Sequence, residues 1–583
     1  MRRIRSIRTA CSRCATVRLQ ATRAQSARDF VDTKIRGEYD AIVVGAGHNG
    51  LIASAYLQMA GKRVLILEKR EIVGGACVTE EIIPGFAFSR ASYLLSLLRP
   101  QIAKELKLKD FGLQLYLRDT VSFTPLVDSK VGQKPAFLLL SRDMAETQRQ
   151  IAKFSIKDSK AYEAYQLQMC KYAAAIEPIL DYPPPHPVRL SENGWRSAMR
   201  QLQPFKQLLK SVKALGSDWA SFFKLATGPA SSMLNSWFES EPLKSTLATD
   251  AIIGAMLSPN TPGSGYVLLH HVMGEVEGVR DAWAYPRGGM GAVTTAIARS
   301  ASALGVTIKA NAPVGSVLVD ESQSACGVIL EDGTQVKTRL VLSNATPSVT
   351  FLRLIPPDAL AAEFVDEVTA FDYTSPVTKI NVAVDSLPNF KASPNRDSHP
   401  ELHHRATIHL GCESINALHR AYLDAQNGRA SARPVIEMCI PSSLDPTVAP
   451  SGKHVVSLFV QYTPYDLADG TWNNETKNDF ANRVFSVIEE YAPGFTSSIL
   501  GFDILTPPDL ENVFGLTGGN IFHGAMGLHQ LYFARPTPAY CNYRSPIRGL
   551  YLCGSGTHPG GGVMGASGRN AALTALQDLQ VNR

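Results

Sequence analysis

Two glycine-rich segments, one near each end of the chain, hold the residue types best suited to chemistry. The first reads Gly45-Ala-Gly47-His-Asn-Gly50, with Glu68 placed 18 residues after Gly50 and Gly74-Gly75 six residues beyond that. This spacing suits a dinucleotide. Gly45 makes a tight turn, Gly47 lets backbone approach a pyrophosphate, and Gly50 lets the following helix pack close to a sheet. The helix start offers unpaired N–H groups to phosphate, and an acid at the distance of Glu68 accepts hydrogen bonds from ribose hydroxyls. The second segment runs from Gly554 through Gly556-Thr-His558-Pro-Gly-Gly-Gly-Val-Met-Gly565-Ala-Ser-Gly568. Glycine at that density lets backbone lie flat against a large planar or anionic group. A helix beginning at its end directs a positive terminus at the charge a reduced flavin gathers at its N1–O2 edge.

Reactive side chains are fewer. His558 sits inside the second segment, where it either faces a bound ring or serves as a spacer before the helix. His523 and His529 lie in the glycine-rich stretch 518–536 and are candidate substrate contacts. Nothing acidic or thiol-bearing flanks them at ligand spacing, so no metal site is read there. Lys379 falls on the non-aliphatic face of an alternating strand, a pattern that favours a solvated lysine over a functional one. No Ser-His-Asp or Cys-His arrangement is needed. Cys77 stands alone after Gly74-Gly75, whereas flavin-linked disulfide chemistry would need a second cysteine at CxxxxC spacing. Nor does a second GxGxxG unit appear in the middle of the chain for a nicotinamide domain. Catalytic residues are therefore left unassigned, with His558, Lys379 and His523 as candidates.

The elements that must position these residues follow from the pattern. The apolar runs Ala41–Val44 and Val64–Leu67 flank helix-forming Leu51–Ala60, giving strand, turn, helix and strand. At the other end a strand within 549–554 precedes a helix over Ala571–Leu579. Between them, Met144–Ala175 and Trp195–Leu225 read as helical, broken by Pro183-Pro-Pro185 and Pro187. The many aromatic residues of this stretch read mainly as core, a few as cavity lining. After Tyr285-Pro-Arg287-Gly-Gly-Met290 come a helix over Val293–Leu304, a strand over Val306–Lys309, a meander (Val314–Val319, Cys326–Leu330, Gln335–Lys337) and a strand over Arg339–Ser343. Thr378–Val384, Val435–Ile440 and Val455–Val460 read as strands and Phe480–Tyr491 as a helix. Residues 82–92 read as a loop leading to a helix, and 385–433 as loop-rich around three prolines.

These motifs resemble the FAD amine oxidase and phytoene desaturase superfamily, and more narrowly its carotenoid/retinoid oxidoreductase branch. The carriers are EYDAIVVGAGHNGL, the Gly74-Gly75 pair, YPRGGM and YLCGSGTHPGGGVMGASGRNAA, with likeness running from about Gly37 to the end. The resemblance implies an α/β fold: a discontinuous Rossmann-like FAD-binding domain with an inserted α+β substrate domain. The divisions it implies are 37–130, 281–345 and 531–583 for FAD, and 131–280 and 346–530 for substrate. It implies FAD as cofactor, held by Gly45, Gly47, Gly50, Glu68, Gly74, Gly75, Val314, Gly554 and Gly565, with Val314 on the adenine side. Relatives often carry Arg or Lys after the second glycine pair. Here Ala76 stands, and Arg70 or Arg90 is left to supply that phosphate contact. In related amine oxidases a lysine holds a water near the flavin, a role to weigh for Lys379. The implied activity is hydride removal from an apolar substrate, as in a desaturase, saturase or isomerase. The alternative is an FAD-bound scaffold that docks a mitochondrial partner.

Composition bounds the rest. With 583 residues, 45% hydrophobic and 19% charged, the chain is an ordinary globular protein of more than one domain. No apolar run approaches the roughly 18–20 residues of a membrane-spanning helix, although peripheral contact with a membrane stays open. Residues 1–28 hold eight arginines and no acid, the composition of a mitochondrial transit peptide, with linker to residue 36, and imply a matrix location. Taking those arginines from the formal charge of +6 leaves −2, so the folded body is no nucleic-acid binder.

Overall fold

The computed structural model describes residue 35 and residues 38–127, 137–186 and 194–581, without the side chains of 194–201 and 581. Apart from Ile35, the expected transit peptide and linker lie outside the described residues.

Two sheets organise the chain. The first has five parallel strands in the order Thr307–Lys309, Val64–Leu67, Ala41–Val44, Val341–Ser343 and Leu550–Leu552. Val341 pairs with Ile42 on one side and Leu550 on the other, so one strand separates the first and last of the sheet's strands in chain order. Four of these strands are short, mainly apolar runs buried along their length because both faces are covered, while the edge strand Thr307–Lys309 buries only Ile308. Ala41, Val43, Val64, Ile66 and Leu342 pack with residues of the helices His48–Met59, Gly291–Ala303 and Ala566–Val581. Ile42, Val44, Leu65, Leu67 and Val341 pack with the meander Val314–Val319, Ala325–Leu330 and Gln335–Lys337. A Cβ on Gly50 would lie 2.1 Å from the carbonyl oxygen of Gly45, and one on Gly568 would lie 2.1 Å from that of Asn49. The first close approach seats the helix on its turn; the second brings the last helix against the first.

The second sheet has seven strands in the order Ile499–Leu505, Val377–Val384, His454–Gln461, Val435–Cys439, Thr407–Leu410, Thr120–Pro125 and Phe137–Ser141. Ile380, Ile408, Met438 and Leu458 pack beneath the helix Asn474–Tyr491 through Phe480, Val484 and Ile488. The opposite face is polar yet also buried. It carries Lys379, Asn381, His409, Glu437 and Ser457, and the expectation of a solvated Lys379 is corrected here. Alternation in a strand reports which residues share a face, not whether that face meets water. Here Tyr93 stacks beside Phe459 at 5.6 Å, and the Thr249 hydroxyl meets His409 Nδ1 at 3.2 Å.

Other elements depart from the sequence reading. Residues 79–89 form a hairpin, Thr79–Ile83 with Phe86–Ser89, and no helix follows until Pro100–Glu105. Phe86 and Phe88 alternate into the core, and Gly85 turns the chain at φ +87°. The stretch read as loop-rich contains the strand Thr407–Leu410 and the helix Ile415–Gln426. Thr120–Pro125, within the stretch assigned to the FAD domain, stands in the second sheet beside Thr407 and Ile408.

Candidate functional site

A cavity of about 610 Å³ runs from the ends of the parallel strands to the polar face of the seven-stranded sheet. Its first wall is backbone. Gly45 turns at φ +92° and receives the Asn344 amide, Nδ2 to carbonyl oxygen at 3.4 Å. Gly47 and Gly74 pair as an isolated bridge, and a Cβ on Gly75 would stand 3.3 Å from Gly47 Cα. The two glycine pairs, separated in sequence, therefore meet as one bare floor facing the cavity. Glu68 is 5% exposed and lines the same end. Its carboxylate accepts the Ala46 amide at 2.7 Å and the Arg70 amide at 3.0 Å, which fixes its orientation. Val314 lies on the wall beside it.

Arg70 and Arg90 differ in their partners and in their access to the cavity. Arg90 binds Glu80 and Asp503 away from the cavity. Arg70 lines the cavity; its Nη2 donates to Glu80 at 2.7 Å, while its buried Nη1 has no partner.

The C-terminal segment forms the opposite side of this floor. Ser555, Gly562 and Val563 face the cavity, whereas Gly554 backs onto Asn344 and Gly565 onto Ile52. The expected positions Gly554 and Gly565 thus stand one layer behind the residues that face it. Asn49 ties the two ends of the chain together, donating to Ser555 Oγ at 3.1 Å.

The histidines separate. His558 does not line the cavity. Its Nε2 meets the Ile179 carbonyl at 2.8 Å, and burial lowers its pKa to about 4. It is a neutral link to the helix Ile156–Leu180, and its carbonyl accepts from Ser567 Oγ in the first turn of the last helix at 3.1 Å. His529 is exposed. His523 lines the cavity at φ +58°, with Nδ1 buried and unpartnered. Burial, then the neighbouring His48, lower its pKa to about 3. His48, inside the first glycine motif, also faces the cavity with an orphaned Nε2 and a pKa lowered to about 4 by burial. Sequence reading passed over it because motif positions between glycines are nominally free. The loop carrying His523 is pinned by Arg535, fully buried, whose guanidinium donates to the carbonyls of Phe522, Gly524, Ala525, Gln530 and Ser555. Burial pushes that guanidinium down to about 10.

Beyond the histidines the cavity opens into a chamber under the seven-stranded sheet. Apolar Leu97, Met169, Leu268 and Phe459 line it together with Arg118, Asp250, Asp281 and Glu437. Arg118 donates to Thr407 Oγ1 at 2.7 Å and leaves Nε unpaired; Glu437 leaves Oε2 unpaired. Burial pushes the carboxyls of Glu437 and Asp281 up to about 7 and holds that of Asp250 well above the usual carboxylate range. For Asp250 the neighbouring Glu437 and Asp281 add to the rise. Near neutral pH Glu437 and Asp281 are therefore partly protonated and not two full anions. Lys379 lies behind this wall, its ammonium 5.7 Å from the centre of the Tyr93 ring and bonded to Asn381 Oδ1 at 2.5 Å. Burial lowers its pKa to about 7.

A flavin dinucleotide fits this donor set. The bare glycine floor, the oriented Glu68 and the orphaned Arg70 Nη1, His48 Nε2 and His523 Nδ1 lie along one cavity. Each unpaired buried group calls for a polar ligand, since burial without a partner costs about 1–3 kcal/mol. Cys77 also lines the cavity, but its thiol donates to the Met290 carbonyl at 3.3 Å and burial pushes it up to about 12.

Comparison with known proteins agrees with the geometry. The sequence profile of flavin containing amine oxidoreductases matches residues 50–576. A rat protein named pyridine nucleotide-disulfide oxidoreductase domain-containing protein 2 is 56% identical, the match spanning 94% of each chain. A lycopene-forming phytoene desaturase from Pseudescherichia vulneris is 26% identical over 92% of this chain and 99% of its own. Among solved structures, an oxidoreductase from Methanosarcina mazei superposes with a TM-score of 0.54 at 17% identity, covering 92% of this chain and 99% of its own, a likeness of fold.

Proposed function

The chain belongs to the flavin containing amine oxidoreductase family, and from that premise we propose that it is an FAD-dependent oxidoreductase acting on an organic substrate held beneath the seven-stranded sheet. The observation that carries this reading is the continuity of one cavity from the glycine floor to the polar chamber. FAD, when bound, supplies acceptance of a hydride from a substrate carbon. The chain's residues do the rest. Glu68 would hold the ribose, with Val314 on the adenine side. The backbone at Gly45, Gly47, Gly74 and Gly75, the start of the helix His48–Met59 and Arg70 Nη1 would hold the pyrophosphate. Ser555, Gly562 and Val563 would face the flavin, with Gly554 and Gly565 supporting them. Leu97, Phe459 and Tyr93 exclude water from the chamber, and Glu437 and Asp281 hold or release a proton at their carboxyl oxygens near neutral pH.

The phytoene desaturase likeness supports desaturation, saturation or isomerisation at an apolar carbon. The unpaired Arg118 Nε and Glu437 Oε2 add a condition: a pure hydrocarbon would leave both buried without partners. The substrate proposed is therefore an apolar body bearing a hydrogen-bonding group. Disulfide chemistry is not supported, because a lone thiol held protonated offers no thiolate. The arginine-rich start supports a mitochondrial matrix location.

Purification from a flavin-replete host tests this reading. Bound FAD identified by mass, followed by anaerobic bleaching of its visible band by one of a panel of lipophilic donors, is the expected result. A colourless protein whose melting temperature does not respond to added FAD would overturn it. A protein-bound flavin that no donor reduces would favour the scaffold that docks a mitochondrial partner.

A further inference from the structure

We propose that the helices Gly194–Leu215 and Trp219–Thr227 form a docking surface for an anionic phospholipid bilayer. The first helix buries Pro204, Ser211 and Leu215 against the protein, yet its outward face carries bare apolar side chains. Leu202 is 61% exposed, Leu209 68% and Val212 39%. Helical geometry sets Leu202 and Leu209 on the face opposite the buried stripe, with Val212 between that face and the stripe, and lines up Lys206, Lys210 and Lys213 beside the two leucines. The second helix adds Trp219 and Phe223, one turn apart, 46% and 56% exposed. Leu167 on the adjacent helix Ile156–Leu180 is 66% exposed.

Charge selects the occupant. Across 194–227 the sequence has Arg196, Arg200, Lys206, Lys210, Lys213 and Lys224 against a single acid, Asp218. That acid is occupied by Lys171 Nζ at 2.5 Å. Lys206, Lys210, Lys213 and Lys224 make no ion pair among the described residues. A second copy of the chain, docked through the same surface, would bring one lysine row against another. An anionic bilayer satisfies both halves of the pattern: acyl chains cover the bare apolar side chains while lipid phosphates meet the lysines, and Trp219 suits the boundary between them. The surface also lies one helix from the chamber. The helix that exposes Leu167 turns Tyr162, Tyr165 and Met169 into the cavity wall, so a substrate dissolved in lipid would have a short path. The proposal does not depend on the redox reading.

Flotation of the flavin-loaded full chain with vesicles tests it. The protein should float with phosphatidylcholine vesicles containing cardiolipin, less so as salt rises, and stay behind with phosphatidylcholine alone. Leu209→Glu with Phe223→Glu should reduce vesicle partitioning by about tenfold or more. Lys206→Glu with Lys210→Glu should reduce it by about fivefold for each charge removed. An unchanged melting temperature and flavin content show that each variant is folded. Failure of the wild type to float with cardiolipin vesicles, or flotation that neither variant weakens, would overturn the proposal. So would a doubled mass by light scattering that the same variants abolish, because that assigns the surface to a second copy.

Discussion

The two ends of the cavity are built by opposite means. At the nucleotide end the chain removes side chains, so that Gly47, Gly74 and Gly75 present backbone and Glu68 is oriented by two amides. At the chamber end it supplies large polar side chains from strands and helices distant in sequence: Arg118, Asp250, Asp281 and Glu437. The first end is fixed by backbone contacts, the Gly47–Gly74 bridge and the amides that bind Glu68. The second is electrostatically poised because burial leaves Glu437 and Asp281 partly protonated near neutral pH. On the proposed function, a cofactor common to many reactions would sit in a backbone mould, while the substrate would meet side chains particular to this chain.

Four substitutions would break or sharpen that contrast. Gly50→Val should have the largest effect, since its Cβ would lie 2.1 Å from the Gly45 carbonyl. A loss of about 3 kcal/mol or more is expected, with no flavin retained, read by thermal melting and visible absorbance. Glu437→Gln should act in the other direction and depend on pH. The folded-state pKa of Glu437 is raised to about 7 from 4.5, so ionising it in the unfolded chain weakens the native protein progressively as pH rises between those values. The variant's advantage over wild type should be absent below about pH 4.5 and reach on the order of 2–3 kcal/mol above about pH 7. Urea unfolding across that range measures it. Equal stability of the two proteins at pH 8 would show the chamber carboxyl to be ordinary.

Glu68→Ala should weaken FAD binding by about tenfold or more, as expected for a lost hydrogen bond to a charged group worth about 1.5 kcal/mol. Titration of the flavin-free protein gives the affinity. The smallest effect belongs to His558→Asn. Removing the link to the Ile179 carbonyl should cost about 1 kcal/mol of stability and leave flavin affinity and reduction rate unchanged. A large fall in reduction rate alone would return His558 to the reacting centre.

The nucleotide end was legible because its signal is local. Turn, helix and acid follow one another within 43 to 75, and each residue's role depends on near neighbours. The meander strands Val314–Val319 and Gln335–Lys337 were equally readable, being short alternating runs closed by a turn. The hairpin at 79–89 and the strand Thr407–Leu410 were not. Their residues lie among Pro and Gly signals, and only pairing with distant partners makes them strands. Lys379 shows the same limit in one side chain: period two placed it on a polar face, and tertiary packing then buried that face.

The sequence by itself determined the βαβ unit, the spacing of Gly45, Gly47, Gly50 and Glu68, and a second glycine segment suited to the same ligand. Those features need only chain geometry over a few residues. Tertiary structure alone decided that Ser555, Gly562 and Val563, not Gly554 and Gly565, face the cavity. It put Arg70 and not Arg90 on the cavity wall, set His558 off that wall and assembled the polar chamber. Orientation and burial depend on which surfaces meet across hundreds of residues, and local spacing carries no record of that meeting.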